Sequence, residues 1–244
     1  MSIALVILAA GQGTRMNSDL PKVLHQIGGA PMLVHAIRSG EALEPARIVV
    51  VTGHGGELVG QAAREYQPAA EIVVQEQQLG TAHAVAQARD ALTGFDGDII
   101  VLYGDTPFIR PETLEQMQVA RQAHDVVVLG FEAADPGRYG RLVMDGQNLE
   151  RIVEFKDASD EERKITLCNS GVVAAKADVL MGLIDAVENN NASGEFYLTD
   201  IIGLARTKGL SAGAVTCDEG ETLGVNSRLE LSGAEAFFQD RMRG

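Results

Sequence analysis

The chain has 244 residues, 45% of them apolar and 22% charged, which suits one large α/β domain or a domain with a smaller lobe. Its 20 basic against 34 acidic residues give a formal net charge of −14, which argues against nucleic acid as a partner, because affinity for that polyanion comes from cationic neutralisation of phosphates. The first apolar run is too short to span a membrane and no basic segment precedes it, so no membrane anchor or secretory leader is expected and the cytoplasm is the default location. Cys168 and Cys217 lack metal-ligand spacing and are expected as reduced, partly buried thiols.

Residues 3–8 read as a buried strand that empties into Leu8-Ala9-Ala10-Gly11-Gln12-Gly13-Thr14-Arg15-Met16, closed by Leu20-Pro21-Lys22. Glycines at Gly11 and Gly13 let backbone N–H groups approach an anion, Arg15 offers a planar fork to phosphate oxygens, and Lys22 adds a mobile point charge. This is a phosphate grip at the carboxyl end of a strand, where open α/β sheets bind ligands. It is neither a Walker loop nor the three-glycine dinucleotide fingerprint, and Gly53-His54-Gly55-Gly56 fails that fingerprint as well.

Further along, residues 48–52, 72–75, 99–103 and 126–131 are short, β-branched runs bounded by Gly, Asp or Pro, and alternate with helical patterns over 32–43, 57–66, 81–92 and 112–123. The alternation implies a Rossmann-like, doubly wound, mostly parallel mixed sheet. After Asp135 the pattern changes. Residues 139–144 and 148–155 flank Asp145-Gly146-Gln147, a hairpin signal, then come a strand over 168–174, helices over 177–187 and 197–207, and a strand over 212–216, together a smaller lobe covering one side of the sheet. The charges over 157–164 read as a solvated loop face.

Three junctions carry chemistry. Tyr103-Gly104-Asp105 follows an apolar run, so the Asp105 carboxylate is aimed at the same edge as the glycine loop, where it can hold Mg2+ or cap the next turn. Asn226, in Gly224-Val225-Asn226, is a neutral oxygen donor or the N-cap of a helix starting near Ser227. Gln75-Glu76-Gln77-Gln78-Leu79-Gly80-Thr81 offers an amide to the edge of a base, and Gly80 lets a ring lie close to the backbone; otherwise it is a polar turn with a helix start at Thr81. The five histidines form no triad-like arrangement, and His83 reads as a packing or polar-core residue.

The glycine loop with Thr14-Arg15-Met16 and Pro21-Lys22 resembles the signature of sugar-phosphate nucleotidylyltransferases. Adding Gln75 to Thr81, Tyr103 to Asp105, Tyr139-Gly140-Arg141, Ile152-Val153-Glu154-Phe155-Lys156-Asp157-Ala158, Cys168-Asn169-Ser170-Gly171 and Gly194-Glu195-Phe196-Tyr197-Leu198-Thr199-Asp200, in that order, the chain resembles the uridylyltransferase domain of bacterial bifunctional N-acetylglucosamine-1-phosphate uridylyltransferase/glucosamine-1-phosphate acetyltransferase over residues 3–231. The resemblance implies the nucleotide-diphospho-sugar transferase fold with a sugar-binding lobe, and an enzyme making UDP-N-acetylglucosamine and pyrophosphate from UTP and N-acetylglucosamine 1-phosphate. It implies that the backbone of Leu8, Ala9, Ala10 and Gly11, with Gln75, Gly80 and Thr81, holds the uridine. Arg15 and Lys22 would neutralise the triphosphate, and Asp105, beside Gly104, would ligate Mg2+ with Asn226. Gly140, Glu154 and Asn169 would hold the amino sugar, with Tyr103 at the join.

The family's chains continue into a left-handed parallel β-helix that carries acetyl transfer and trimerisation. No hexapeptide repeat occurs here, so neither is expected, and the oligomeric state stays open. Residues 1–228 are expected as the nucleotidyltransferase domain and 229–244 as the start of a connecting helix, with Phe237, Phe238 and Met242 packing back on it. A relative using another sugar 1-phosphate or nucleotide, and a noncatalytic nucleotide-sugar sensor, are the alternatives.

Overall fold

The computed structural model describes residues 2–53 and 55–243. Strand β1 (Ile3–Ala9) is buried along its whole length, and its side chains divide by parity between two cores: Ala4, Val6 and Leu8 enter one, Ile3, Leu5, Ile7 and Ala9 the other. A strand with two apolar faces belongs inside a sheet covered on both sides, which is why the sequence there is a continuous apolar run and not an alternation. A short hairpin of β2 (Gln26–Ile27) and β3 (Ala30–Pro31) follows. Then come α1 (Met32–Glu41), β4 (Arg47–Gly53), α2 (Glu57–Tyr66), β5 (Glu71–Gln75), α3 (Thr81–Ala86), β6 (Asp98–Tyr103), α4 (Pro111–Ala120) and β7 (Val126–Glu132). The remaining elements are β8 (Arg141–Asp145), β9 (Asn148–Val153), β10 (Leu167–Lys176), α5 (Ala177–Ile184), α6 (Asp200–Thr207), β11 (Ala212–Cys217) and α7 (Arg228–Arg243).

The main sheet runs β11-β7-β10-β6-β1-β4-β5. All neighbours pair in parallel except β10, which is antiparallel to both β6 and β7. Helices α1, α2 and α4 cover one face through Leu33, Ile37, Val59, Leu114 and Met117, and α3, α5 and α6 the other through Val85, Leu180, Leu183, Ile201 and Ile202. The fold is therefore the doubly wound, mostly parallel mixed sheet that the sequence implies, and the loops after β1, β5, β6 and β11 gather at one edge. The smaller lobe is an extension of the same sheet: β8 pairs with β9 around the turn at Gly146, and Arg141 of β8 pairs with Cys168 of β10. The pairing of β10 with β7 slips between Asn169 and Val173, a bulge that re-aims this stretch.

The structure corrects several element boundaries. The helix expected over 81–92 stops at Ala86; Gln87, Ala88 and Arg89 switch to hydrogen bonds with the third residue before them, and the guanidinium of Arg47 binds the Ala91 and Thr93 carbonyls beyond. The helix expected from 197 begins at Asp200, because the Leu198 N–H donates to Thr81 Oγ1 (2.9 Å) and Phe196 crosses Gly80. Asn226 is not the cap of the last helix. Ser227 Oγ accepts from the Glu230 N–H (3.2 Å), and the Glu230 carboxylate accepts from the N–H groups of Asn226 and Ser227, a reciprocal capping box. Phe237 and Phe238 of α7 pack on Phe108 and His35, whereas Met242 is 70% exposed and does not pack back.

Cys168 and Cys217 are both free, on strands either side of Phe131. Burial, with the Glu221 and Asp218 carboxylates nearby, pushes the Cys217 thiol up to about 12. The charges over 157–164 are largely exposed; there Glu162 takes hydrogen bonds from Ser159 and Arg151 that lower its carboxyl to about 2.

Candidate active site

The loop after β1 is shaped by two constraints. Met16 is fully buried and pins the 3-10 turn Thr14–Met16, and Gly13 stands at φ +61°, where a Cβ would lie 2.6 Å from the Lys22 Cβ. Only glycine satisfies both the left-handed backbone and that approach. The loop therefore folds down on Lys22, which opens the 3-10 turn Lys22–Leu24 behind Pro21. The Lys22 ammonium donates to the Asp105 carboxylate in a short ion pair and to Asn226 Oδ1 at 3.0 Å. The ends of β1 and β6 are tied by the Gly104 N–H to the Leu8 carbonyl (2.9 Å), and the Val225 N–H to the Asp105 carbonyl (3.0 Å) brings Asn226 alongside. Three segments separated by up to 204 residues thus meet at one point of the sheet edge.

That point borders a cavity of about 340 Å3 whose lining includes Leu8, Ala9, Ala10, Gly11, Lys22, Gln75, Gly80, Thr81, Tyr103 and Asp105. Leu8, Ala9, Ala10 and Gly11 line it at the end of a buried strand. Gln75 is buried, its amide nitrogen donating to the Gly80 carbonyl (3.1 Å) and to His83 Nδ1 (3.0 Å), so His83 is part of a polar core. Gly80 is required by the chain's own packing: at φ +121° its missing Cβ would lie 2.4 Å from the Phe196 carbonyl oxygen. Gln78, not singled out above, donates to the Ala10 carbonyl and clamps this loop to the first. A glutamine-rich run at a strand end was its only signal.

Tyr103 lines this cavity and also a small, mostly apolar pocket with Ile152, Asn169, Gly171, Leu198 and Thr199. Burial, reinforced by Asp105 and Glu154, holds its phenol well above the ordinary value of 10, and it shares a hydrogen bond with Thr81. Gly140, Glu154 and Asn169 come together here: a Cβ on Gly140 would stand 3.5 Å from Glu154 Oε1 and 3.6 Å from the Asn169 Cβ. The Asn169 N–H donates to the Gly140 carbonyl (2.9 Å), and Thr199 Oγ1 donates to Glu154 Oε1 (3.0 Å). Burial raises the Glu154 carboxyl above its ordinary 4.5 despite that bond, with Asp200, Asp157 and Glu195 adding to the rise.

One expected residue stands apart. Arg15 is exposed on the 3-10 turn and is not among the residues lining the cavity. A residue the sequence did not flag braces the site from behind. Buried Glu221 accepts from the Arg110 N–H (3.0 Å) and Thr113 Oγ1 (2.7 Å), fastening the start of α4 to the turn that leads into Asn226. His54 lies outside the described residues; His35 bonds the Ile27 carbonyl and His124 packs on Gly213, so neither points to acid–base chemistry. A larger open groove of about 740 Å3 between α2 and β5 is flanked by Glu57, Arg64 and Glu65, exposed charges on one helix face.

The donor set suits a divalent cation. One carboxylate and one amide oxygen, both hard donors, already converge on a cationic centre, the Lys22 ammonium. Among the described residues no group of three or more His, Cys, Asp or Glu could hold a metal, so the pair fits an ion that completes its shell with substrate and water.

The fold and this edge site define a nucleotidyltransferase. The chain belongs to the MobA-like NTP transferase domain family, whose model matches residues 5–166, and nucleotidyltransferases of this kind generally use a divalent metal. It is 65% identical over 243 residues to the bifunctional protein GlmU of Ruegeria pomeroyi, covering 100% of this chain and 54% of that protein. It is 65% identical over 242 residues to the bifunctional protein GlmU of Cereibacter sphaeroides, covering 99% and 53%. The chain thus spans about half the length of the curated relatives it matches. Among solved structures, UDP-glucose pyrophosphorylase complexed with UDP-glucose shares the fold at a TM-score of 0.78 and 18% identity, covering 100% of this chain and 99% of that one. The inositol-1-phosphate CTP transferase from T. maritima does so at 0.77 and 16%, covering 97% and 94%.

Proposed function

We propose that this chain joins UTP to N-acetylglucosamine 1-phosphate, giving UDP-N-acetylglucosamine and pyrophosphate, with residues 1–228 as the nucleotidyltransferase domain and 229–244 as a connecting helix. The observation that carries the reading is the meeting of Lys22, Asp105 and Asn226 beside a cavity at the sheet edge, in a chain 65% identical to bifunctional GlmU proteins.

Leu8, Ala9, Ala10 and Gly11 hold the uridine with Gln75, Gly80 and Thr81, and Tyr103 sits between base and sugar. Gly140, Glu154 and Asn169 hold the amino sugar; Glu154 and Asn169 offer acceptors to its amide and hydroxyl groups. The sugar phosphate oxygen is already ionised, so it attacks the α-phosphorus in line with departing pyrophosphate without a general base or a covalent enzyme intermediate. Catalysis is then orientation and stabilisation of crowded phosphate charge. Asp105 and Asn226 would hold Mg2+, which when bound supplies positive charge to the triphosphate. Lys22 holds positive charge at the same point, and Arg15 meets the leaving pyrophosphate. A net charge of −14 repels the substrates at long range, but screening over about 8 Å leaves these local cations to decide. The reaction takes place in the cytoplasm in this reading; among the described residues no helix is long and apolar enough to cross a membrane.

The test is pyrophosphate release across a panel of four nucleoside triphosphates and several sugar 1-phosphates. The highest kcat/KM is expected with UTP and N-acetylglucosamine 1-phosphate. A higher value for another pair moves the assignment to that sugar or nucleotide. Tight UDP-sugar binding without turnover of any pair makes the chain a sensor.

A further inference from the structure

Arg141 is the largest fully buried side chain of the molecule that carries a charge, at 2% exposure. Its guanidinium cannot lose its proton, and a charge placed in the interior normally requires an opposite one. Its recorded partners are main-chain carbonyls instead. Nη1 donates to the carbonyls of Pro136 (3.3 Å) and Tyr139, and Nη2 to those of Gly137 (3.1 Å) and Arg163 (3.3 Å). The Phe155 ring lies 5.9 Å from the guanidinium carbon. Three of the four acceptors belong to the turn just before Gly140, and the fourth belongs to the loop that follows β9 and Glu154. The turn is therefore wrapped on a planar cation, and its carbonyls point inward at Arg141 instead of outward at water.

The outcome of this wrapping is the position of Gly140. Its carbonyl receives the Asn169 N–H, and its Cα stands against Glu154 and Asn169. We infer that Arg141 is a positioning residue for the sugar side of the site: it fixes the turn over 136–140 and, through Arg163, the loop after β9, so that Gly140, Glu154 and Asn169 present one rigid face. It touches no substrate itself. This inference rests on the proposed function for the identity of the sugar, but the loop-holding part stands on geometry alone. A lysine keeps the charge at this position but not the planar five-donor fork, so it cannot serve four carbonyls spread around a plane.

The test compares wild type with Arg141→Lys and Arg141→Gln, in steady-state kinetics and in hydrogen exchange of the backbone amides. In Arg141→Lys the KM for N-acetylglucosamine 1-phosphate is expected to rise about 10-fold or more, while kcat and the KM for UTP stay within about twofold. Exchange of the Tyr139 and Asn169 amides is expected to speed up, with that of the β1 and β4 amides unchanged. Arg141→Gln is expected to go further in the same direction. If it does not fold, Arg141→Lys alone decides. Equal changes in both KM values, or unaltered exchange at Tyr139 and Asn169, would overturn the inference. A wild type inactive with every substrate pair would instead remove the functional reading and the sugar role with it, while the exchange data would still decide whether Arg141 holds the turn.

Discussion

At the edge proposed for the nucleotide, Leu8 to Gly11 line the cavity at the end of a fully buried parallel strand held between two cores. Across Tyr103, Glu154 at the end of an antiparallel hairpin and Asn169 on a bulged strand come together beside Gly140. The charge differs as sharply as the construction. At the edge a lysine is paired to a carboxylate and an amide. On the sugar side Glu154 and Asp200 are both driven up by burial, and neighbouring acids add to the effect. The strand end at the edge is fixed by the two cores, so its chemistry is set by the few side chains it carries, Lys22, Asp105 and Asn226. The side proposed for the sugar adds a polar network of side chains, so there a few substitutions are expected to change specificity.

Asp105→Ala should give the largest effect. It removes a donor at the edge but no core contact, so kcat should fall by about 1,000-fold with an unchanged circular dichroism spectrum, while Tm drops modestly because Lys22 loses its ion-pair partner. Near-normal Mg2+-dependent turnover in that variant would break the assignment of the edge. Arg15→Ala should lower kcat by about 10- to 100-fold with little effect on the KM for the sugar phosphate, separating the two regions kinetically. If the change were confined to that KM, Arg15 would belong to the sugar side.

Gly80→Ala probes the seam. Its φ of +121° and the Phe196 backbone 2.4 Å from the new Cβ should cost about 3 kcal/mol in urea unfolding and impair binding of both substrates. Unchanged stability would mean that residues 79–81 and 196 are not clamped together.

The smallest effect is a pH dependence confined to the sugar side. Because burial raises the Glu154 carboxyl above 4.5, protonation begins above the ordinary carboxylate range as pH falls, and the KM for the sugar phosphate should rise there several-fold while that for UTP does not. Glu154→Gln should abolish this limb. The linkage sign is that of a buried acid: ionising Glu154 opposes folding, so its contribution to stability is fully present below pH 4.5 and is lost as pH rises through the raised value. Stability of Glu154→Gln at pH 7 should therefore equal or exceed that of wild type, measured by thermal unfolding.

The sequence made the parallel core legible because β1, β4, β6 and β7 are apolar on both faces and stop at Gly, Asp or Pro. Direction was not legible: nothing in the residues from Leu167 to Lys176 says that β10 runs against its neighbours. The β2–β3 hairpin has strands of two residues each, too short for periodicity to show. Helix ends were misjudged where tertiary bonds capture the backbone, as Arg47 does beyond Ala86 and Thr81 does at Leu198. At the site, Asp105 and Lys22 were marked by their positions after strands. Asn226 taken alone reads as a helix cap, whereas Ser227 and Glu230 do the capping. Arg141 was invisible as a brace because its partners are backbone carbonyls, which leave no signature of residue type, and Glu221 because its partners, Arg110 and Thr113, lie 111 and 108 residues away in the chain.

The most direct test of the account is 31P NMR of the chain with Mg2+, UTP and N-acetylglucosamine 1-phosphate. The sugar-phosphate and triphosphate signals are expected to decline together while a sugar-nucleotide diphosphate and pyrophosphate appear in equal amounts. Loss of UTP with the sugar phosphate untouched, or no change in either substrate at any enzyme concentration, would contradict it.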